Sequence, residues 1–433
     1  KDKADWLVEH LNERIANVDN ELLPNLPVSI KPSGVPVTRP FKNNGEYSKM
    51  VLDWYPELED NVGGFVGGPF SRITKHTISL NSPVQVKKFL LSQGWQPTEW
   101  NYKDGEPTSP KLTEDSYTSI KGGFGKLITD RSLFSHRRNQ IQGWVQRIRS
   151  DGRFTAAANT IGTPTRRFRH IGLVNVPKST TYPKEHERAG ELVYLDDPKF
   201  QKVPFGTEMR SLFCHTPGRV FVGKDASGLE LRLLAHYMGD KDYIYEVLHG
   251  DIHSANQNAA GLPTRDDAKT FIYAFLYGAG DAKIGSIVGG DARDGAELKK
   301  QFLSSLPSLD KLIKRVKQAS KKGWLKGLDG GQIRMRQNEY GVATNKALNT
   351  LLQGGGAVVM KRDMIIVDKV SRHLDVWKVL DMHDESQYDV LPEEVEEFTE
   401  LIKTSMVEAG KSFNLKCPME ADVKIGNNWA ETH

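Results

Sequence analysis

Two cations and two phenols recur at a strict four-residue interval, Arg265, Lys269, Tyr273 and Tyr277, and this spacing confines residues 265–277 to a helix with one chemically distinct face. Each step of four overshoots a helical turn by roughly 40°, so the side chains form a slowly drifting stripe about 18 Å long. Guanidinium, ammonium and two rings in that order suit a long ligand with a polyanion at one end and a flat aromatic group at the other. A nucleoside triphosphate has that form. Taken alone, a plainer reading is the stronger one: Phe271, Ile272, Phe275 and Leu276 would pack a core helix while Arg265 and Lys269 faced solvent.

Two aspartates lying on either side of this run in sequence change the balance. Val220-Phe221-Val222 reads as a short strand that leads to Asp225, after which Leu229, Leu233, Leu234 and Tyr237 recur at helical spacing. Val376, Val379, Leu380 and Met382 precede His383-Asp384-Glu385, with Tyr388 and Val390 beyond, as two strands joined at a polar turn. An aspartate ending a strand is ordinarily a cap, and one at a hairpin tip is ordinarily solvated. With a cationic stripe between them, the pair has a joint explanation in two-metal phosphoryl transfer, where hard cations about 3.5–4 Å apart need bridging carboxylates.

A chain of 433 residues exceeds one ordinary core, so two or three subdomains are expected. No apolar run is long enough to span a bilayer and the start, Lys-Asp-Lys, has no signal-peptide pattern, so a soluble, cytoplasmic protein without a membrane partner is expected. Cys214 and Cys417 offer neither metal-ligand spacing nor a disulfide framework. Net charge is only +4, yet residues 131–170 hold nine arginines and a single acid, Asp151, which makes that block +8 and the remainder −4. Such asymmetry fits a track for a phosphate backbone better than a merely solvated face.

Along the chain, Leu7, Leu11, Ile15, Val18 and Leu22 form the apolar stripe of an opening helix closed by Pro24 and Pro27. Residues 31–70 are rich in Pro, Gly and Asn and read as a long loop or small insertion. A helix is expected from Val84 to Gln93, then turn-rich sequence to about Gly123, two helical stretches over the arginine block, and mainly helix from 241 to 370. Glu393 to Glu400 reads as a solvated helical face.

At this point the residues resemble a known family. Lys224-Asp-Ala-Ser-Gly-Leu-Glu230-Leu-Arg232 is similar to motif A of the family A, DNA polymerase I type, DNA polymerases; Arg265 to Gly278 resembles their motif B, and His383-Asp384-Glu385 their motif C, in the same order. The Ser-Gly-Leu-Glu version, Gly250-Asp251-Ile252-His253 and Asn349-Thr-Leu-Leu-Gln353 are most similar to the replicative polymerases of T-odd podoviruses. The resemblance is dense from about Thr165 onward, thinner from Ser71, and poor across 31–70. It implies an α+β, multi-domain right-hand fold: a thumb over 1–150, a palm with an antiparallel sheet from 151–240 and 371–433, and helical fingers over 241–370.

The resemblance also implies roles. Asp225 and Asp384, with the Ala226 carbonyl, would hold two Mg²⁺ ions, for which Mn²⁺ could substitute. Arg265, Lys269 and His253 would grip the triphosphate, with Lys269 protonating the departing pyrophosphate. Tyr273 would lie against the incoming sugar and base, in a form that tolerates dideoxynucleotides, and Tyr277 would stack near the templating position. Ser227, Gly228 and Leu229 would border the nucleotide, and Glu230 would exclude a 2′-hydroxyl. Arg166, Asn349, Gln353 and His383 would touch primer-template DNA, although the family pattern Thr-Gly-Arg appears here only loosely, as Thr165-Arg166-Arg167. Glu385 would support the metal site. Many relatives carry a proofreading exonuclease, for which this sequence shows no convincing Asp-x-Glu strand; polymerisation without editing, by a monomer, is expected. In podoviral relatives a thumb insertion recruits a host processivity factor, and residues 31–70 are the corresponding candidate. The competing readings are a single-subunit RNA polymerase, against which Glu230 argues, and a catalytically silent nucleic-acid-binding protein, for which the arginine block alone would suffice.

Overall fold

The computed structural model describes residues 1–59, 69–97, 100–103, 106–112, 124–338 and 341–433. They form two compact units, residues 2–143 and residues 144–433, the latter grouped with Lys1. Among the described residues no helix is long and apolar enough to cross a membrane.

In the first unit, helix Asp2–Leu22 buries Leu7, Leu11, Ile15 and Leu22 as the stripe requires. Helix Pro83–Ser92 starts where the Ser82 hydroxyl accepts the Gln85 amide, and it adds Val86, Phe89 and Leu90 to a core with Leu22, Leu26, Trp95 and Ile128. Residues 31–70 hold more order than a loop: strand Val28–Val37 pairs antiparallel with Phe70–Thr77, and a short helix, Lys49–Trp54, lies between them in sequence. Pro32, Gly34 and Pro36 mask the strand in the sequence, but a two-stranded ribbon consists only of edges, where proline is tolerated. Residues 60–68 of that reading, and most of the turn-rich stretch before Gly123, lie outside the described residues.

The arginine block does not form two helices. One helix, Phe124–Val145, covers its start, and a small hairpin of Ala157–Asn159 with Arg169–Ile171 covers its end. Nor are its arginines left free for one continuous track. Arg131 pairs with Asp19 at 2.5 Å, Arg138 donates to Asn12 at 3.1 Å, and Arg149 pairs with Asp151.

The second unit is built on a four-stranded antiparallel sheet in the order Val376–Met382, Glu385–Val390, Val220–Ala226, Ala421–Gly426. Residues 241–370, all between its strands in sequence, are mainly helical, with small hairpins at Trp324–Lys326/Gln332–Arg334 and at 337–342. Helix Ala347–Val370 crosses the core, and its run Gly354-Gly355-Gly356 exists for close approach: a Cβ on Gly354 would meet Ile333 at 2.5 Å, and one on Gly356 would meet Leu229 at 3.1 Å.

Alternation along Val220–Ala226 explains how the sheet is held. Val220 and Val222 join Val367, Tyr388, Val390, Phe398 and Ile402 in an apolar layer, so the next residue on that face, Lys224, is carried into the interior. Its ammonium donates to Asp363 at 2.5 Å and to Ser405 at 3.0 Å, while the Ser405 hydroxyl donates to Asp363 at 2.7 Å. Lys224 and Asp363 are both fully buried. Burial pushes the Lys224 pKa down and the Asp363 charge opposes this. The acidic segment 393–400 is likewise only half solvated, since Phe398 is fully buried in the same layer. Removing one partner of a buried ion pair leaves the other charge uncompensated, a loss of about 3–5 kcal/mol. Asp363→Ala should therefore lower unfolding free energy by about that amount in urea denaturation, and Lys224→Met with Asp363→Leu should recover most of it. A loss below 1 kcal/mol would show the pair to be dispensable.

Candidate active site

The strand register dictates where the two aspartates lie. Asp225, next to last in its strand, stands opposite Glu385, the first residue of the neighbouring strand. Met382 pairs with Glu385, which leaves His383-Asp384 as a two-residue hairpin loop. Such loops need positive φ, and His383 adopts +60°. The Ala226 amide donates to the Asp384 carbonyl at 2.9 Å, closing the turn onto the end of Asp225's strand. Sequence positions 225 and 384 thus become neighbours. Burial, followed by the charges of Asp384 and Glu385, pushes the Asp225 carboxyl up to about 6.

Glu385 is engaged by a set of partners of its own. It accepts from the Gln387 amide at 2.6 Å and from the Trp429 indole, lies 2.8 Å from His433 Nδ1 and 3.8 Å from Arg210, and is almost fully buried. Burial would raise its carboxyl, but His433, Arg210 and Gln387 hold it below the ordinary glutamate range. Arg210, stacked 4.2 Å over the Trp429 ring, was not evident in the sequence. Among the described residues no group of three or more His, Cys, Asp or Glu forms a metal cage. Asp225, Asp384 and a backbone carbonyl make an oxygen-only donor set. Two crowded carboxylates of this kind fit a hard divalent ion that keeps water and phosphate oxygens in its shell.

The four-residue ladder occupies helix Arg265–Leu276, capped by the Thr264 side chain on the Asp267 amide. The packing reading of this run holds, and it leaves the cations and one ring of the ladder facing outward. Ala268, Phe271, Ile272 and Leu276 are buried, while Arg265, Lys269 and Tyr277 are exposed and Tyr273 is half-buried. Arg265 is already engaged by Asp251 at 2.6 and 3.0 Å, a pairing that holds the Asp251 carboxyl well below the usual carboxylate range. His253, the second residue of helix Ile252–Ala260, has its ring 6.4 Å from the Tyr273 ring, and burial, then Arg265 and Lys269, push its pKa down. The Tyr273 hydroxyl is raised by burial and then by Glu230, Asp384 and Asp225, so ladder and aspartates share one electrostatic site. Lys346 closes the ladder's far end, donating to the Tyr277 and Gly278 carbonyls at 2.8 and 3.1 Å.

Glu230 begins the helix Leu229–Met238, which follows Gly228 in left-handed conformation. It accepts from Arg167 at 2.7 Å and from the Tyr277 hydroxyl at 3.4 Å. Burial raises its carboxyl, against the pull of Arg167 and Tyr277. The Ser227 hydroxyl is buried without a hydrogen-bond partner among the described residues, and Leu229 is core. A cavity of about 170 Å³ lies alongside, lined by Arg167, Gln353, His383 and others. Asn349 sits one turn before Gln353 on the same helix face. Arg166 is elsewhere: its φ is +62° and its guanidinium is 2.9 and 2.7 Å from the Asp329 carboxylate. Of the two adjacent arginines, Arg167 is the one that joins the site. The signal was present in Thr165-Arg166-Arg167, whose third residue is the match to Thr-Gly-Arg.

Comparison with known proteins agrees with this geometry. The family model described as DNA polymerase family A matches residues 69–431. A DNA-directed DNA polymerase of Escherichia phage Phieco32 is 31% identical, covering 99% of this chain and 95% of that protein. The DNA-directed DNA polymerase of Escherichia phage T7 is 32% identical over 85% of this chain, but this chain spans only 54% of that protein. A solved structure, the POL domain of Pol1 from M. smegmatis in complex with DNA primer-template and dNTP, aligns with a TM-score of 0.69 at 22% identity, over 82% of this chain and 62% of that one. The fold is shared.

One pH response follows from the cavity's edge. The His170 ring packs edge-on against His383, centroids 5.5 Å apart at 83°, and burial followed by the His383 charge pushes its pKa below 6.5, against Asp381. A base whose folded pKa is depressed loses stability when protonated, so its contribution is full above pH ~6.5 and falls as pH drops through the unfolded value toward the folded one. His170 should titrate below 6.5 by NMR, and His170→Gln should flatten the stability loss that sets in as pH falls below about 6.5. A midpoint above 6.5 would contradict the burial seen here.

Proposed function

Because the chain belongs to DNA polymerase family A, we propose that it extends a primer 3′-hydroxyl with deoxynucleoside triphosphates as directed by a template strand, releasing pyrophosphate. The observation that carries this reading is the meeting of Asp225 and Asp384 at the end of two paired strands, in electrostatic reach of the ladder tyrosine Tyr273. The phage relatives support phage genome replication as its setting. In this reading residues 2–143 belong to a thumb, the four-stranded sheet is the palm, and the helices within 241–370 are the fingers.

Asp225, Asp384 and the Ala226 carbonyl would hold two Mg²⁺ ions. Bound there, the ions supply an acidified 3′-hydroxyl and neutralise charge on the triphosphate. The remaining work falls to the protein's own groups. Arg265 would exchange Asp251 for phosphate oxygens, whose fork geometry matches its own. Lys269, exposed one turn further along, would bind the same phosphates and donate a proton to the leaving pyrophosphate. His253 would complete that grip. Tyr273, half-buried beside Glu230, would form the wall against sugar and base, with Ser227, Gly228 and Leu229 bordering the nucleotide below. Tyr277 would occupy the templating side.

Arg167, Gln353 and His383 would meet the minor-groove edge of the terminal pair, with Asn349 close by. Acceptors on that edge are nearly the same for every base pair, so donors there test pair geometry without reading sequence. Glu230, fixed by Arg167 and Tyr277, would fill the space that a 2′-hydroxyl needs.

Primer extension with Mg²⁺ tests the central step. Asp384→Ala should lower turnover by about three orders of magnitude or more, roughly 4 kcal/mol of barrier, while binding of primer-template persists. Retained extension would reject the mechanism, and a parent that binds DNA without extending it would favour a silent binding protein. Glu230→Ala should raise incorporation of ribonucleotides relative to deoxynucleotides. An unchanged ratio would remove Glu230 from sugar selection.

A further inference from the structure

Beyond the groove-reading set, the small hairpin Trp324–Lys326/Gln332–Arg334 and the residues just after it present a second array of cations. Ile333 and Met335 are buried in the core, so period-two alternation directs Gln332, Arg334 and Arg336 outward on the other side. Two backbone bonds fix this stretch: the Met335 amide donates to the Gly323 carbonyl at 2.9 Å, and the Ala343 amide donates to the Arg336 carbonyl at 3.0 Å. Arg334 and Arg336 both line the cavity that holds Arg167, Gln353 and His383, and no carboxylate lines it. Neither guanidinium has an ion-pair or hydrogen-bond partner among the described residues, whereas nearby Arg166 is neutralised by Asp329. Two unneutralised arginines thus lie two residues apart, one at the end of the strand Gln332–Arg334 and one just past it, an interval that at the rise of a strand is roughly 6.6–6.8 Å. That is close to the interval between successive phosphates of one nucleic-acid strand.

We propose that Arg334 and Arg336 are DNA-positioning residues that hold two consecutive phosphates of one strand, setting the duplex so that its terminal pair meets Arg167, Gln353 and His383. The proposal rests on the reading of the chain as a DNA polymerase and extends it to residues outside the family motifs quoted above. Arginine suits the task because its planar fork takes phosphate oxygens two at a time. Each such contact releases counterions, so its loss has a signature in salt dependence that a purely structural residue lacks.

The test uses the whole chain and a primer-template whose primer ends in a dideoxynucleotide, with binding followed by fluorescence anisotropy across a salt series without nucleotide. Arg334→Gln and Arg336→Gln should each weaken binding roughly fivefold to tenfold near physiological salt and make the slope of log K against log salt shallower by about 0.9, the double variant by about 1.8. Arg→Lys at either position should restore most of the slope, because the charge returns. Single methylphosphonates placed along each strand then locate the contact. Two neighbouring phosphates should weaken binding by the parent when neutralised, yet cost the double variant nothing further. Unchanged slopes, or no such pair of phosphates on either strand, would overturn the proposal. If those results come from a parent that still extends ordinary primers, the polymerase reading stands. A parent that neither binds nor extends the duplex overturns both.

Discussion

Two carboxylates can be kept side by side only if the backbone carrying them cannot relax apart, and in this protein that constraint is met from behind the sheet. Lys224 precedes Asp225, so strand alternation sends one side chain inward and the next toward the site. The inward ammonium is tied to Asp363 on the long helix and to Ser405 on the following one. Those bonds fix the strand's position and rotation where Asp225 emerges. On the opposite face Gly223 has no room for a side chain, since a Cβ there would meet the Thr432 carbonyl at 2.3 Å. With helices behind and the Trp429–Thr432 segment in front, the burial and then the repulsion that raise Asp225 are borne by the fold rather than relieved by movement.

The ladder helix obeys the same economy. Its inner face, Ala268, Phe271, Ile272 and Leu276, packs against the core that also holds Phe302 and the helix after Asp225. Its outer face holds the cations and rings. A helix with a 3.6-residue period can do both, because the two sets of residues occupy different arcs of its circumference. Packing of the inner arc therefore does not compete with a binding role for the outer one. The rigid inner face is what gives the outer one a fixed geometry.

How much could be read in advance depended on whether a signal was local. Strand, turn and helix around Asp225, the polar hairpin at Asp384 and the spacing of the ladder are each written within a short continuous stretch, and each lies where its pattern implies. The ribbon at 28–77 was missed because proline and glycine conceal strands that need no second neighbour. The partners of the arginine block were hidden for a different reason. Composition counts charges but not their partners, and Asp19, Asp151, Glu230 and Asp329 each take one of those arginines out of any common track. Only Asp151 lies within the block itself.

Arg166 and Arg167 show how a single backbone angle can send two adjacent side chains to different partners. A left-handed residue that is not glycine costs roughly 1–2 kcal/mol, and Arg166 adopts that conformation. Lys361 offsets the cost from the long helix: its ammonium donates to the Arg166 carbonyl at 2.7 Å and to the Thr160 carbonyl at 2.5 Å. Asp329 then accepts the Arg166 guanidinium on one side, so the next side chain along is delivered to Glu230 on the other. A glycine in the middle of the triplet would reach the left-handed region without those two partners. Here an arginine occupies that position and brings its own anchors, and this explains why the motif looks altered in sequence while the arginine that follows it still reaches the site.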